Sequence, residues 1–181
     1  MSAADGEAPG AALAPTVRRA GPADVGLLLT MIRELAEYEK LADQVRTTAE
    51  LLDRALFGEA PAAEVLIAEL GGEPVGYAIY FPTFSTFLAI QGIWLEDLYV
   101  RPERRKAGAG RALLAAVAAR LRERGGQRLE WAALDWNELA LGFYRGLGAR
   151  TQTDWITHRL VGEDLERLAA EAPSVAAPPR L

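Results

Sequence analysis

Cysteine is absent from the 181 residues, and histidine occurs once, at His158. Without cysteine the chain cannot form disulfides, thiolate metal sites or a thiol nucleophile. A single histidine also argues against a histidine-based catalytic triad and against a multi-histidine metal site, so we predict no bound metal. No apolar run approaches the roughly 20 residues that a membrane helix needs, and we therefore expect no membrane association.

Basic residues are outnumbered by acidic ones, with 20 Lys and Arg against 25 Asp and Glu, which gives a net charge of −5. This balance argues against nucleic acid as the main partner and favours a cationic one. The length and the 50% share of hydrophobic residues fit one domain, which we expect over residues 16–171. Residues 1–15 and 172–181 are rich in small residues and proline, and we expect them to be unstructured tails. Because residues 1–15 lack the basic and apolar regions of a secretory signal, we expect a cytoplasmic protein.

Hydrophobic periodicity and turn residues predict elements in the order β-α-α-β-β-β-α-β-α-β. Helices are predicted at Ala23–Glu39, from Thr47 or Thr48 to Phe57, from Gly110 to about Gly125, and at Asn137–Leu147. Strands are predicted at Thr16–Arg19, Glu64–Glu69, Pro74–Phe81, Gly92–Val100, Arg128–Leu134 and Trp155–Val161. The early strands follow one another directly and the later ones are joined through helices, so we expect a mixed sheet in an α/β fold.

Two adjacent acidic residues, Glu96 and Asp97, interrupt the otherwise apolar strand that is predicted at Gly92–Val100. Successive strand residues point to opposite faces, so we expect one carboxylate on each side of the sheet. Burying an unpaired carboxylate is costly or raises its pKa. The pair is therefore either a structural feature, exposed or bonded to backbone amides, or a site for a cation or a general base.

A glycine-rich segment follows this strand directly, and we call Arg105-Lys-Ala-Gly108-Ala-Gly110-Arg111 the glycine loop. Glycines let backbone amides turn toward an anion, and the N-terminus of the following helix adds about half a positive charge. The spacing matches neither GxxxxGK[ST] nor the three glycines of a dinucleotide fingerprint. The glycine loop is either a structural turn or a cradle for a pyrophosphate.

Together these motifs resemble the GNAT superfamily, in which Arg-x-x-Gly-x-Gly follows a strand and binds acetyl-CoA. The blocks at Glu34–Glu39, Leu95–Val100, Leu134–Asn137 and Phe143-Tyr144 resemble the branch of diamine (spermidine/spermine) and thialysine acetyltransferases. The resemblance covers roughly Thr16 to Leu168. It implies an α+β fold whose mixed, mostly antiparallel twisted sheet is flanked by helices and has splayed central strands. It also implies direct acetyl transfer, in a ternary complex, from acetyl-CoA to the primary amine of a small cationic molecule such as a diamine, a polyamine or a thialysine- or lysine-like amino acid.

The resemblance also assigns residues to the acetyl-CoA site. The backbone at Leu98, Tyr99 and Val100 is expected to bond the pantetheine amides as an added strand would. The glycine loop is expected to hold the pyrophosphate through Arg105, Lys106, Ala107, Gly108, Ala109, Gly110 and Arg111. Asn137 is expected to contact the cofactor arm, and a simple helix cap is its alternative role.

Tyr144 and Glu96 are the catalytic residues that the resemblance implies. Tyr144 would protonate the departing CoA thiolate, since a phenol remains protonated near neutral pH. Its alternative role is that of an ordinary half-buried helix aromatic. Glu96 would help remove the proton of the amine through a water molecule. The substrate-binding residues implied by the resemblance are Tyr38, Glu39, Glu96, Asp97, Glu130 and Trp155, and for Glu39 a solvated charge at a helix end is the alternative.

Residues 83–87, with the sequence Thr-Phe-Ser-Thr-Phe, depart from the polyamine enzymes. They lack the acidic and aromatic residues that those enzymes place before the catalytic strand, which favours a small amine or a lysine-like amino acid. Acetylation of a protein N-terminus or lysine, and a non-catalytic acyl-CoA-binding domain, are the competing hypotheses. The resemblance further implies a homodimer, whose interface Phe84 and Phe87 would suit.

Overall fold

The computed structural model describes residues 13–174, and within them the chain divides after Ala132 into two compact units. Residues 1–12 and 175–181, which hold most of both predicted tails, lie outside the described residues. No helix of the described part is long and apolar enough to cross a membrane. The first unit contains five strands and three helices: β1 (Pro15–Arg19), α1 (Val25–Tyr38), α2 (Ala49–Phe57), β2 (Glu64–Leu70), β3 (Glu73–Ser85), β4 (Ile90–Val100), α3 (Ala109–Glu123) and β5 (Arg128–Trp131).

The five strands form one sheet in the order β1-β2-β3-β4-β5. The first four strands pair antiparallel, and β5 pairs parallel to β4 after the crossover through α3. This arrangement confirms the predicted mixed, mostly antiparallel sheet. The β4–β5 ladder pairs Gly92 with Arg128 and ends where Leu95 pairs with Trp131. The strand β5 is thus shorter than the predicted Arg128–Leu134.

Helix α2 begins as its sequence predicts, whereas α1 begins at Val25, two residues after the predicted Ala23. The hydroxyl of Thr48 accepts a hydrogen bond from Leu51 N at 3.3 Å and caps α2. Leu28 and Met31 of α1 are fully buried and pack with Leu52, Leu56 and the sheet residues that share their face. Burying one such side chain contributes roughly 1.5–3 kcal/mol, so this face fixes α1, and the residues at its C-terminal end, against the sheet.

Helix α3 buries one stripe against the sheet, formed by Leu113, Val117 and Leu121. It starts at Ala109, directly after Gly108, whose φ of +87° is in the left-handed region that favours glycine. The helix therefore begins within the glycine loop, one residue before the predicted Gly110. Its buried stripe anchors that loop to the end of β4.

The second unit contains α4 (Glu138–Gly146) and α5 (Gly162–Ala170). The predicted helix at Asn137–Leu147 is confirmed by α4. The predicted strand at Trp155–Val161 is wrong, because residues 151–161 form neither helix nor strand. The aromatic and β-branched residues Trp155, Ile156 and Val161 favour a strand, but a strand also needs a hydrogen-bonded neighbour, which the residue types do not report. Sequence reasoning missed α5, although Glu163 and Asp164 in its first turn are typical of a helix start.

Candidate active site

A β-bulge in β4 shapes the candidate site. Asp97 pairs with Ile79 and Leu95 pairs with Tyr80, so Glu96 is the extra residue without a partner on β3. Bulges bend a strand and re-aim side chains, and they break the regular alternation of faces. The expectation of one carboxylate on each face assumed an unbroken alternation and does not apply at this position. The charge of Glu96 is close enough to raise the pKa of Asp97.

Asp97 is the half-buried member of the pair. The hydroxyl of Tyr77, a fully buried residue of β3, donates a hydrogen bond to Asp97 Oδ2 at 3.1 Å. Burial raises the pKa of Asp97 to about 6, with smaller contributions from the charges of Glu96 and Glu39, while the bond from Tyr77 acts in the opposite direction. Asp97 is therefore a carboxylate held in an environment that would readily accept a compensating cation.

Asp97 and Glu39 line the same open pocket, of about 190 Å³, which we call the acidic cleft. Burial also raises the pKa of Glu39. The rest of the lining combines an apolar wall with one amide side chain, and comprises Ile32, Leu35, Ala36, Leu41, Gln44 and Val45. Two carboxylates beside an apolar wall suit an ammonium group carried on an aliphatic stem. The structure thus brings together two of the predicted substrate-binding residues.

Tyr38, predicted beside these carboxylates, contacts the cofactor side of the site instead. The guanidinium carbon of Arg105 lies 4.7 Å from the centroid of the Tyr38 ring, which is a cation–π contact. Arg105 Nε also donates to the carbonyl oxygen of Val100 at 3.1 Å. Arg105 therefore ties the start of the glycine loop both to the end of β4 and to the end of α1.

Glu96 is exposed and accepts a hydrogen bond from the indole of Trp94. The distance from Trp94 Nε1 to Glu96 Oε2 is 2.9 Å. An exposed glutamate samples several side-chain conformations, and a charge-assisted bond restricts that freedom. The carboxylate of Glu96 is thus oriented although it is not buried.

The glycine loop has the backbone of an anion cradle. Lys106 has a φ of +68° and Gly108 a φ of +87°, so left-handed residues alternate with others before α3 begins. A non-glycine residue in that region costs of order 1–3 kcal/mol and marks a conformation imposed by its surroundings. The first N–H groups of α3 have no acceptor within the helix and add to the cradle. Arg105 contacts Val100 and Tyr38, as described above. Arg104, the residue just before the loop, forms an ion pair with Glu73 at 2.5 Å.

The end of β4 offers an edge for a strand-like ligand. Beyond Leu95 the strand continues to Val100 next to β3, and no strand of the described residues pairs with its other edge. Leu98, Tyr99 and Val100 lie on this part. An extended chain with amide groups can hydrogen-bond such an edge. Together with the cradle, the edge fits the pantetheine and pyrophosphate of acetyl-CoA, as the resemblance implies.

The two remaining predicted substrate residues are Glu130 and Trp155. Glu130 on β5 forms an ion pair with Arg128, with Nε and Oε2 2.7 Å apart, and is not among the residues that line the cleft. Trp155 belongs to the irregular segment 151–161 of the second unit. Their assignment to substrate binding stays a prediction.

Asn137 and Tyr144 belong to α4. Asn137 caps this helix, since its Oδ1 accepts a hydrogen bond from Ala140 N at 3.2 Å. Tyr144 is half-buried, and its ring centroid lies 5.3 Å from that of Phe143. The cap is the alternative role stated for Asn137, and the contacts with the cofactor and the acid role of Tyr144 stay predictions.

Sequence reasoning missed three residues of the site: Tyr77, Gln44 and Trp94. Tyr77 lies on the neighbouring strand, and only the pairing of β3 with β4 brings its hydroxyl to Asp97. Gln44 follows the end of α1 and lines the acidic cleft. The spacing of Trp94 and Glu96, two residues apart on one strand, was the one available signal for their contact. No group of three or more metal-ligating side chains lies together within residues 13–174.

Comparison with known proteins gives a consistent set of similarities. The family model described as "Acetyltransferase (GNAT) family" matches residues 29–149. Thialysine N-epsilon-acetyltransferase of Bos taurus is 41% identical over 166 residues, which cover 86% of this chain and 97% of that protein. L-ornithine N5-acetyltransferase of Arabidopsis thaliana is 27% identical, over 84% of this chain and 86% of that protein. The structure of an integron cassette protein from the mobile metagenome of V. cholerae has a TM-score of 0.72 and 25% identity, and it covers 87% of this chain and 98% of its own.

Proposed function

The chain belongs to the acetyltransferase (GNAT) family, and on that premise we propose which amine it acetylates. It is an enzyme that takes the acetyl group from acetyl-CoA and transfers it to a small amine. The acceptor that we propose is the side-chain amine of a thialysine-, lysine- or ornithine-like amino acid, or of a short diamine. Relatives named for thialysine and ornithine support this choice.

The observation that carries the proposal is the acidic cleft. Glu39 and Asp97 supply two carboxylates that would bind an ammonium group, and the apolar wall beside them would receive the methylene or thioether stem. With about 190 Å³, the cleft is smaller than the roughly 300–1,000 Å³ of pockets for drug-sized ligands. A short, single-stem amine fits this space better than a long polyamine or an aminoglycoside does.

The chemistry that we propose is direct transfer in a ternary complex. Bound acetyl-CoA supplies the acetyl thioester. Asp97 and Glu39 hold the amine, and Glu96 accepts its proton through a water molecule, because the nitrogen must be neutral to attack. A backbone N–H of Leu98 to Val100 stabilises the negative charge that develops on the carbonyl oxygen. Tyr144 gives its proton to the departing sulfur, and the second proton that the nitrogen loses as the amide forms restores the phenol.

The glycine loop and Asn137 complete the proposed cofactor site. Lys106 and Arg111 place positive charge beside the backbone amides of residues 106–111, where the pyrophosphate would bind. Arg105 supports the loop through Val100 and Tyr38. Asn137, which caps α4, is proposed to contact the cofactor arm. Glu130 and Trp155 are proposed as outer contacts of the amine.

A screen of amines tests this proposal. Release of free thiol from acetyl-CoA is measured with thialysine, lysine, ornithine, putrescine, spermine, an aminoglycoside and a lysine-containing peptide. We expect the highest kcat/KM among the first four amines. Higher kcat/KM with the peptide would favour a protein acetyltransferase, whereas CoA binding without thiol release for any amine would favour a non-catalytic acyl-CoA-binding domain.

The acid role of Tyr144 is tested in the same assay. Replacing Tyr144 with Phe removes the proton donor and keeps the ring, so we expect kcat to fall by about 100-fold, in the range typical of general acid catalysis. The dissociation constant of CoA, measured by calorimetry, is expected to stay within a factor of about two. Unchanged turnover would show that another group protonates the thiolate.

We also propose a homodimer and a cytoplasmic location. Three large apolar residues are exposed near the β3–β4 turn, Phe84 by 61%, Phe87 by 92% and Leu88 by 64%, which supports burial against a partner chain. Sedimentation at increasing protein concentration tests the dimer. The absence of cysteine is compatible with a reducing compartment and supports the location, which fractionation of cells would test.

A further inference from the structure

We propose that Trp94 is a positioning residue for catalysis, which orients the carboxylate of Glu96 through its indole N–H. The inference rests on the proposed function, in which Glu96 removes the proton of the amine. The contact on which the inference is built does not depend on that function: Trp94 Nε1 lies 2.9 Å from Glu96 Oε2.

Glu96 needs such a contact because of where it lies. As the extra residue of the bulge it has no partner residue on β3, and its side chain is exposed to solvent. An unrestrained glutamate spreads over several rotamers, and only some of them point toward an amine in the acidic cleft. Proton transfer requires the acceptor within hydrogen-bond reach of the proton or of one bridging water. An exposed base is thus effective only when something fixes it.

Trp94 is well placed to fix it because the indole is itself held. Trp94 has a strand on each side, and it is paired with Phe81 on β3 and with Glu130 on β5. Cross-strand neighbours on both sides restrict the ring, so its N–H points in a defined direction. Because the bulge follows directly, the chain bends and Glu96 can reach back to a side chain two residues before it.

The hydrogen bond also divides the two carboxylate oxygens between two tasks. The indole engages Oε2, which leaves both lone pairs of Oε1 to accept the proton. A tryptophan N–H only donates, and it cannot take the proton from Glu96 or deliver one to it at neutral pH. Trp94 therefore acts on the geometry of Glu96 and takes no part in the proton transfer.

For the enzyme, this means that the two neighbouring carboxylates, Glu96 and Asp97, have different roles and are held in different ways. Asp97 is fixed by burial and by the hydroxyl of Tyr77, whereas Glu96 is fixed by the indole of Trp94. One carboxylate would hold the charge of the substrate while the other, in contact with water, removes the proton. Trp94 is then specific to the chemical step.

Two replacements at position 94 test this inference. Trp94→Phe removes the N–H and keeps an aromatic ring. Site-specific incorporation of 3-benzothienyl-alanine keeps the size and shape of the indole and replaces the N–H with sulfur, which protects the test against a packing defect. For both we expect kcat to fall roughly tenfold, a part of the effect of the base itself. The KM for acetyl-CoA and the melting temperature of the benzothienyl protein are expected to stay unchanged.

A double-mutant cycle with Glu96→Gln separates positioning from a structural role. If Trp94 acts through Glu96, the tenfold loss disappears when Trp94→Phe is added to Glu96→Gln. Losses that multiply in the double mutant would overturn the inference, because Trp94 would then act on its own.

The same measurements separate failure of the inference from failure of the proposed function. Full turnover with benzothienyl-alanine at position 94, combined with a large loss in Glu96→Gln, would refute the role of Trp94 and leave Glu96 as the base. Full turnover in Glu96→Gln would remove the base itself, and the inference with it.

Discussion

The acidic cleft and the glycine loop lie at the two ends of the same stretch of β4, and they prepare for opposite charges in different ways. The acidic cleft uses side chains: Asp97 and Glu39 are partly removed from water, and burial raises the pKa of both. The glycine loop uses the backbone, with positive φ angles at Lys106 and Gly108 before the N-terminus of α3. The fold is thus destabilised in the cleft by the burial of carboxylates, and in the loop by backbone conformations that are unfavourable for most residues.

This difference teaches where each ligand would contribute stability to the protein. An ammonium in the acidic cleft would compensate carboxylates that the fold has desolvated, so the amine offsets an existing cost. A pyrophosphate on the glycine loop would meet N–H groups that are already directed outward. Changes in the cleft should therefore alter stability and amine binding in opposite directions, whereas changes in the loop should weaken both cofactor binding and stability.

Between the acidic cleft and the glycine loop, the largest effect is expected from Asp97→Asn in the cleft. The substitution keeps an acceptor for the hydroxyl of Tyr77 and removes the charge that would bind the amine. Loss of one charge-assisted contact, worth about 2–3 kcal/mol, predicts that kcat/KM for the amine falls roughly 30- to 100-fold. Steady-state kinetics with thialysine or ornithine as the varied substrate measures the effect. Glu39→Gln, at the other carboxylate, should show a smaller loss of the same kind.

The same variant should be more stable than the wild type above pH 6. Folding raises the pKa of Asp97 from the ordinary 3.8 to about 6, so the folded state binds a proton more strongly than the unfolded state does. The destabilisation therefore appears as pH rises from about 4 to about 6 and is complete above that range. Urea unfolding at pH 8 should show Asp97→Asn more stable by about 2 kcal/mol, and the gain should vanish near pH 4. A variant less stable than the wild type at pH 8 would contradict this account of the cleft.

The second effect is expected from Gly108→Ala in the glycine loop. A Cβ at this position has room, since its nearest neighbour would be Pro15 Cγ at 3.6 Å. The cost is the φ of +87°, which disfavours alanine by about 1–2 kcal/mol. Relief of that strain would turn the loop amides away from the pyrophosphate. We expect the dissociation constant of CoA, measured by calorimetry, to rise about tenfold, which is 1.4 kcal/mol of binding free energy.

Gly125→Ala is the matched control for Gly108→Ala. Gly125 follows α3, also has a positive φ, of +72°, and has open space around its Cβ position. Both variants should lose a similar free energy of unfolding, but only Gly108→Ala should lose affinity for CoA. Equal losses of CoA affinity in the two variants would show that the effect comes from general destabilisation.

Much of this comparison could be predicted from the sequence, because it depends on local rules. The sequence predicts a helix from near Gly110, and α3 begins one residue earlier, at Ala109. It offers Thr47 or Thr48 as the cap of α2, and Thr48 is the cap. Grouping Glu39 with Asp97 came from the family resemblance, and the fold then placed both side chains in one cleft.

What the sequence could not predict depends on pairing between distant segments. The bulge at Glu96 is a property of the register between β3 and β4, which the sequence of one strand does not contain. The prediction from sequence therefore rests on regular alternation of the side chains between the two faces. The hydroxyl of Tyr77 reaches Asp97 only through that register. The segment Trp155–Val161 has the residue pattern of a strand but forms no strand, because the pattern alone supplies no hydrogen-bonded neighbour.

The smallest effect, and the one that decides to which region Tyr38 belongs, is expected from Tyr38→Leu. The sequence resemblance assigns Tyr38 to the amine, whereas its ring lies against the guanidinium of Arg105. Loss of a cation–π contact between two half-buried residues, about 0.5–1 kcal/mol, predicts a two- to fivefold rise in the dissociation constant of CoA with little change in the KM for the amine. Tyr38→Phe keeps the ring and should bind CoA as the wild type does. A rise in the KM for the amine at unchanged CoA affinity would instead support the assignment of Tyr38 to the amine.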